Sequence, residues 1–327
     1  MHAITVAAAA ILSLTLSAMA QNVDGGPETA REVKLPATPP ANSPATPPAA
    51  KSEPADKKFT VSGGYLHQFN TSLNTGGNYA ADRAYAAFAS RYQLSETLRL
   101  DVDLGYEFDH YQFHGTAQGL GSTLNTETLS VVPRFTVSLD DHWTVSAAPV
   151  LQLSGESQAN AGDTITGGAI GSFRYAFDDT HVLGLGLLVK NMLGSGVLVV
   201  PAPLVDWEIK KGLRLSNIRS PEANPFVSIE LEQELSEQFD IALGGAWQFR
   251  QSRLEDSGAN PNGVFQESNT AIYGRFEWHP IPSLRMDLLV GTAIYSRVKT
   301  LDGGGNTLTS TGGDPSLVLG AFISYKF

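Results

Sequence analysis

The sequence predicts an all-β chain, folded as a single up-and-down antiparallel β-barrel that crosses a membrane with 14 strands. Three observations carry that expectation. Apolar and polar residues alternate over stretches of about ten residues, the length that spans a bilayer as a tilted strand. The turns between these stretches come in a short and a long kind, and the two kinds alternate. Aromatic residues gather at the short-turn end of the strands. Composition fits: 42% of the 327 residues are hydrophobic and 17% are charged, too apolar for a wholly disordered chain. The formal charge of −11 argues against nucleic acid as a partner. With no cysteine, disulfides, thiolate metal sites and thiol nucleophiles are excluded. Beyond the N-terminus no apolar run is long enough for a membrane helix.

Residues 1–20 read as a secretory signal. Ala3 to Leu16 is apolar and alanine-rich, and Ala18-Met19-Ala20 is an A-x-A cleavage site, although His2 stands where a lysine or arginine is usual. Residues 21–57 hold eight of the 18 prolines, in runs such as Pro36-Ala37-Thr38-Pro39-Pro40. Proline removes backbone donors and favours extended geometry, so this stretch is expected to be a disordered periplasmic leader, the alternative being a spacer that touches a periplasmic partner or the cell wall. Residues 58–327 are the barrel.

Alternation is clearest from Leu98 to Asp109, where every even residue is apolar and every odd one is charged or glycine. A helix would scatter those charges, whereas a strand puts them all on one face. The same dyad runs through Val227–Glu232, Phe239–Arg250, Leu284–Gly291 and Leu317–Phe327. Short turns fall at 94–96, 140–141, 178–180, 210–212, 236–238 and 279–282. Long loops fall near 70–82, 114–124, 156–163, 191–197, 218–225, 252–266 and 299–314. These connections join 14 strands, with short periplasmic turns and long external loops. The weak stretch is 196–225, where Pro201 and Pro203 cannot donate to a ladder; if it holds one strand the number is 12. In these frames no Asp, Glu, Lys or Arg faces outward. Tyr92, Trp143, Tyr175, Trp207, Trp278 and Tyr325, with Phe177, Phe239 and Phe327, form the expected aromatic girdle at the membrane boundary.

The chain ends Ile323-Ser324-Tyr325-Lys326-Phe327. A terminal Phe327 preceded at alternate positions by Tyr325 and Ile323 resembles the C-terminal signal of Gram-negative outer-membrane barrels. That resemblance covers the whole barrel, and extends to uncharacterised families of outer-membrane β-barrels. It implies insertion into outer-membrane lipid by the barrel assembly machinery, with Tyr325 and Phe327 as the recognised residues. It implies no substrate.

The opposite face lines the lumen. Its acidic set is Asp101, Asp103, Glu107, Asp109, Asp206, Glu208, Glu230, Glu232, Glu234, Asp240, Glu277 and Asp287. Its basic set is Arg83, Arg91, Arg99, Arg134, Arg174, Lys190, Arg214, Arg250, Arg275, Arg285 and Arg297. A charged, nearly balanced interior suits water and small polar solutes better than an apolar ligand. Two arrangements follow. Arginines on one wall facing carboxylates on another would set a transverse field across a pore. Pairing across neighbouring strands, such as Arg275 and Glu277 with Arg285 and Asp287, would brace a narrow barrel.

The expected function is therefore porin-like passage of small polar solutes or ions. The alternative is a non-conducting structural barrel that presents its external loops. A lipid-modifying enzyme ranks third: His67, His110 and His114 lie near the external rim, with Ser72, Ser122 and Ser252 in loops, but nothing brings a base to a nucleophile. Asp302-Gly303-Gly304-Gly305-Asn306 lacks the acidic spacing of a calcium loop. No metal, cofactor or catalytic residue is expected.

Overall fold

The computed structural model describes residues 57–115, 120–194, 196–217 and 227–327. The expected signal and most of the expected leader lie outside them, and Lys57 already opens the first strand. Fifteen strand segments follow: β1 (Lys57–Ser72), β2 (Asn78–Gln93), β3 (Leu98–His114), β4 (Thr123–Ser138), β5 (Trp143–Glu156), β6 (Ile165–Asp178), β7 (His181–Asn191), β8 (Val197–Lys210), β9 (Leu213–Ser216), β10 (Val227–Ser236), β11 (Phe239–Arg253), β12 (Val264–Ile281), β13 (Leu284–Leu301), β14 (Thr307–Gly313) and β15 (Ser316–Lys326). From β1 to β14 each pairs antiparallel with the next, and β15 pairs with β13 and with β1, from Thr60 opposite Lys326 to Gln68 opposite Val318. β14 and β15 both pair with β13 and are two halves of one strand bent at Asp314-Pro315. The result is a closed barrel of 14 staves, as expected, and the 12-strand alternative is set aside. The start of β1, the end of β15 and all six short turns share one end, here called proximal.

Among the described residues β9 pairs with β8 only from Asp206 to Lys210, short of Pro201 and Pro203. The Val205 N–H points to the β9 side, where it donates to Asn217 Oδ1 at 2.9 Å. Pro201 and Pro203 share that orientation, and β9 ends at Ser216, so their missing donors face no strand among the described residues.

The exterior is apolar over most of its height. Phe135, Leu151, Phe173, Leu185, Leu243, Leu288, Val290 and Leu319 are among the large side chains left exposed, a surface that suits lipid and not water. Three expectations need correction. The loops at 70–82, 252–266 and 299–314 are shorter than expected: β1 runs to Ser72 and β2 starts at Asn78, β11 runs to Arg253 and β12 starts at Val264, and β13 runs to Leu301 and β14 starts at Thr307. The strands rise past the apolar band, so simple alternation does not mark their ends. Arg297 faces outward, over the ring of Tyr295 at 5.9 Å. Ile294 has no partner between Thr270–Tyr295 and Ala271–Ala293, and this bulge turns the next residues of β13 over. A charge also stands on the outer face: Asp82 bonds Tyr65 Oη and, at 2.7 Å, His67 Nδ1.

Candidate functional site

The barrel interior is layered, and the proximal layer is hollow. A cavity of about 610 Å³ opens there, lined in part by Glu208, Arg214, Glu232, Glu234, Asp240 and His279. A second, of about 370 Å³, reaches across to Lys58, Arg91, Asp101, Asp103 and Arg134. The charges around this vestibule are segregated. The wall of β2–β6 carries Arg91, Arg99, Arg134 and Arg174 against Asp101 and Asp103. The wall of β8–β13 carries eight carboxylates (Asp206, Glu208, Glu230, Glu232, Glu234, Asp240, Glu277, Asp287) against Arg214, Arg275 and Arg285. A positive wall therefore faces a negative one.

Pairing across strands coexists with this field. Arg275 reaches Glu230 at 2.7 Å, Asp287 at 2.8 Å and Glu232 at 3.3 Å, and also bonds Glu277. Arg285 joins Asp287 at 2.9 Å and Glu277 at 3.2 Å. The four residues read as potential cross-strand partners do meet. Arg214 grips Asp206 with two nitrogens. Opposite them Asp101 accepts from Arg91 at 2.9 Å and Arg99 at 3.0 Å, and Arg134 lies 3.5 Å from Asp103. Arg174 lies over Gly184, where an added Cβ would come within 3.0 Å of its Cγ. The bare inner face of β7 makes room for that arginine.

Above the vestibule an aromatic layer packs inside the lumen. Tyr85, Tyr273 and Phe322 are buried with Leu289 and Val318. They lie directly on glycines: a Cβ on Gly64 would stand 2.2 Å from Phe322 and 2.7 Å from Tyr85, and one on Gly244 2.9 Å from Tyr273. On the β4–β8 side Val132, Ala148, Val150, Ile170, Leu188, Val200, Ala202 and Leu204 make a second apolar cluster. The expectation of a charged interior holds for only part of the circumference. In β5 and β8 both faces are apolar, as in Ala147–Leu151 and Val199–Leu204, so alternation there did not tell inside from outside.

The distal half is closed by β11 and β12 themselves. Gln251, Ser252, Arg253 and Leu254, and Val264, Phe265, Gln266 and Glu267, are all buried, so this hairpin is covered on both faces. Its first face meets β1–β3. Glu267 accepts from Arg83 at 2.6 Å, Tyr111 at 2.9 Å and Tyr79 at 3.2 Å. Arg250 donates to Glu107 at 2.5 Å, and Arg83 lies 3.4 Å from Asp109. Phe265 packs on Tyr111 at 4.8 Å, within a cap that includes Leu73, Phe113, Leu120 and Leu124. Its second face meets β5 and the β7–β8 tip. Ser252 and Ser154 are 3.1 Å apart, Arg253 bridges Gly155, and Leu193 N–H donates to Gln251 at 3.1 Å. The hairpin leans into the barrel and stands between two walls.

Glu267, Gln68, Tyr79, Tyr111 and Asn269 escaped the sequence reading, since they lie in or beside stretches taken as loops. The only signal was polar residues spaced by two, as in Glu267 and Asn269. The expected girdle residues do share one end: Trp143 lies 4.9 Å from Tyr175, Phe177 is 5.9 Å from Trp207, Phe239 is 6.4 Å from Trp278, and Tyr92 is 6.4 Å from Phe59. Tyr325 lies 4.8 Å from Phe327. At the distal rim Asp82, on β2, sits between His67 and His110, while His110 bonds Asn125 at 2.6 Å. Ser252 bonds Ser154.

No protein-family model matches this sequence, and no curated protein matches it significantly. Among solved structures, it is similar to an outer-membrane channel of Pseudomonas putida F1 (TM-score 0.47, 9% identity, 87% of this chain and 100% of that one). It is also similar to a Pseudomonas aeruginosa FadL homologue (0.47, 10%, 83% and 90%) and to the P. putida toluene transporter TodX (0.41, 12%, 84% and 90%). These are likenesses of barrel shape at low identity.

Proposed function

We propose that this chain is an outer-membrane transport barrel that rests shut, with its proximal end toward the periplasm. The observation that carries the reading is the asymmetry of the lumen: a charged, hollow vestibule at one end and a strand hairpin leaning into the barrel at the other. A purely structural barrel has no need of a vestibule whose walls carry opposite charge. The field orients water and disfavours apolar solutes, so small polar solutes or ions are the cargo. The girdle aromatics set the height in the bilayer, and Tyr325 and Phe327 serve assembly. Passage requires the β11–β12 hairpin to leave its place between the walls. The aromatic layer of Tyr85, Tyr273 and Phe322 favours a second reading, a plugged barrel that never conducts.

Planar-bilayer conductance of the refolded barrel separates the two. The wild type is expected to be silent or to open briefly. Phe265→Ala combined with Arg83→Ala, which frees the hairpin, is expected to give sustained steps. Silence from both proteins, verified as folded and inserted, would contradict transport and leave the structural barrel.

A further inference from the structure

At the proximal mouth the strand register produces an arrangement that charge pairing alone does not balance. Glu234 stands opposite Asp240, Asp240 opposite Glu277, and Glu277 opposite Asp287, in one row across four strands. Carboxylates directly opposed on neighbouring strands repel. Arg275 and Arg285 offset the Glu277–Asp287 end. At the other end Asp240 faces His279, whose Nε2 is 3.5 Å from Asp240 Oδ2 and 2.7 Å from Glu277 Oε1. His279 follows Glu277 by two residues and so shares its face of β12.

We propose that Asp240, Glu277 and His279 form a binding site for a divalent transition metal of the Zn²⁺ class. One donor atom from each already lies within 4.8 Å of the others. Donors around a tetrahedral zinc stand roughly 3.3 Å apart, so side-chain rotation closes the difference. One imidazole nitrogen with two carboxylate oxygens suits zinc better than the all-oxygen sets of calcium or magnesium. Two further features point the same way. Arg275 and Arg285 both hold Glu277 Oε2, which leaves Oε1 turned toward His279, the outer-shell orientation that metal carboxylates have. The His279 backbone N–H donates to Gln238 O at 2.8 Å and anchors the residue where β12 turns. The site is reachable: His279 is 30% exposed and Asp240 16%, and both line the two vestibule cavities, which supply water for a fourth position.

The test uses the full barrel without a polyhistidine tag, refolded in detergent, with zinc titrated against a chromophoric chelator. The readout is binding, so it stands whether or not the barrel conducts. One zinc per chain is expected. His279→Ala and Asp240→Asn should each weaken it at least tenfold, while Glu237→Gln, in the same cavity, should leave it unchanged. Cobalt in place of zinc should give a tetrahedral absorption band that His279→Ala abolishes. Should His279→Ala fail the heat-shift test of folding, His279→Gln is read in its place. Zinc binding equal in the His279 variant and the wild type, or no binding by the wild type, would overturn the proposal.

Discussion

The two ends of this barrel are made from the same strands and come out opposite. At the proximal end the inward residues are arginines and carboxylates that cluster against their own walls and leave about 610 Å³ open. At the distal end β11 and β12 lean inward, with β12 still paired to β13, and their residues are buried on both faces. The packing of β11 changes along its length. Below Val227, β11 is held by β10, in register from Val227–Trp247 down to Ser236–Phe239. At and beyond Trp247 the strand packs Trp247 and Phe249 on the apolar β4–β8 wall.

The largest break in this comparison should come from the proximal charge cluster. Arg275→Ala leaves Glu230, Glu277 and Asp287 without their shared cation, and losing one partner of a buried ion pair costs about 3–5 kcal/mol. Urea unfolding of the refolded barrel measures it, and Arg275→Lys should recover only part of the loss, since one ammonium cannot serve all three carboxylates. Next is Phe265→Ala, which empties the distal cap for about 3 kcal/mol. Its signature is regional: protease cleavage should appear near residues 254–263 while the proximal turns stay resistant. Gly64→Ala is smaller, about 1–3 kcal/mol, because its Cβ must displace Phe322 and Tyr85.

The smallest effect is a pH dependence at a proximal turn. The Asp140 carboxylate accepts from the backbone N–H groups of Trp143 at 2.7 Å and His142 at 2.8 Å, which hold its pKa below the ordinary value. A lowered folded pKa stabilises the fold above the unfolded value, and that contribution is lost as pH falls through the folded one. Asp140→Ala should therefore lower the unfolding midpoint near about pH 6 and make less difference near about pH 3.

Much of this was legible in the residues. Alternation in Leu98–Asp109 specified both faces of β3, and the turn spacing specified 14 staves. The cross-strand meeting of Arg275, Glu277, Arg285 and Asp287 followed from register. The distal seal was not legible, because period-two alternation says which face a side chain takes and not whether a hairpin leans across the lumen. Glu267 is an inward residue by parity, yet its partners Arg83, Tyr79 and Tyr111 are set by the lean of the hairpin. Arg297 was misplaced for a related reason, since one unpaired residue, Ile294, reverses every later position.

The seal itself can be tested with one covalent bond. Ser154 on β5 and Ser252 on β11 place their Oγ atoms 3.1 Å apart across the distal end, and the chain has no cysteine to compete. In the double variant Ser154→Cys/Ser252→Cys, a disulfide should form under mild oxidation without loss of the folded barrel, since the sulfurs start close to bonding distance. Rapid, near-complete crosslinking of the inserted protein is the predicted result. A barrel that stays reduced while fully folded would place β5 and β11 apart and contradict the closed distal end.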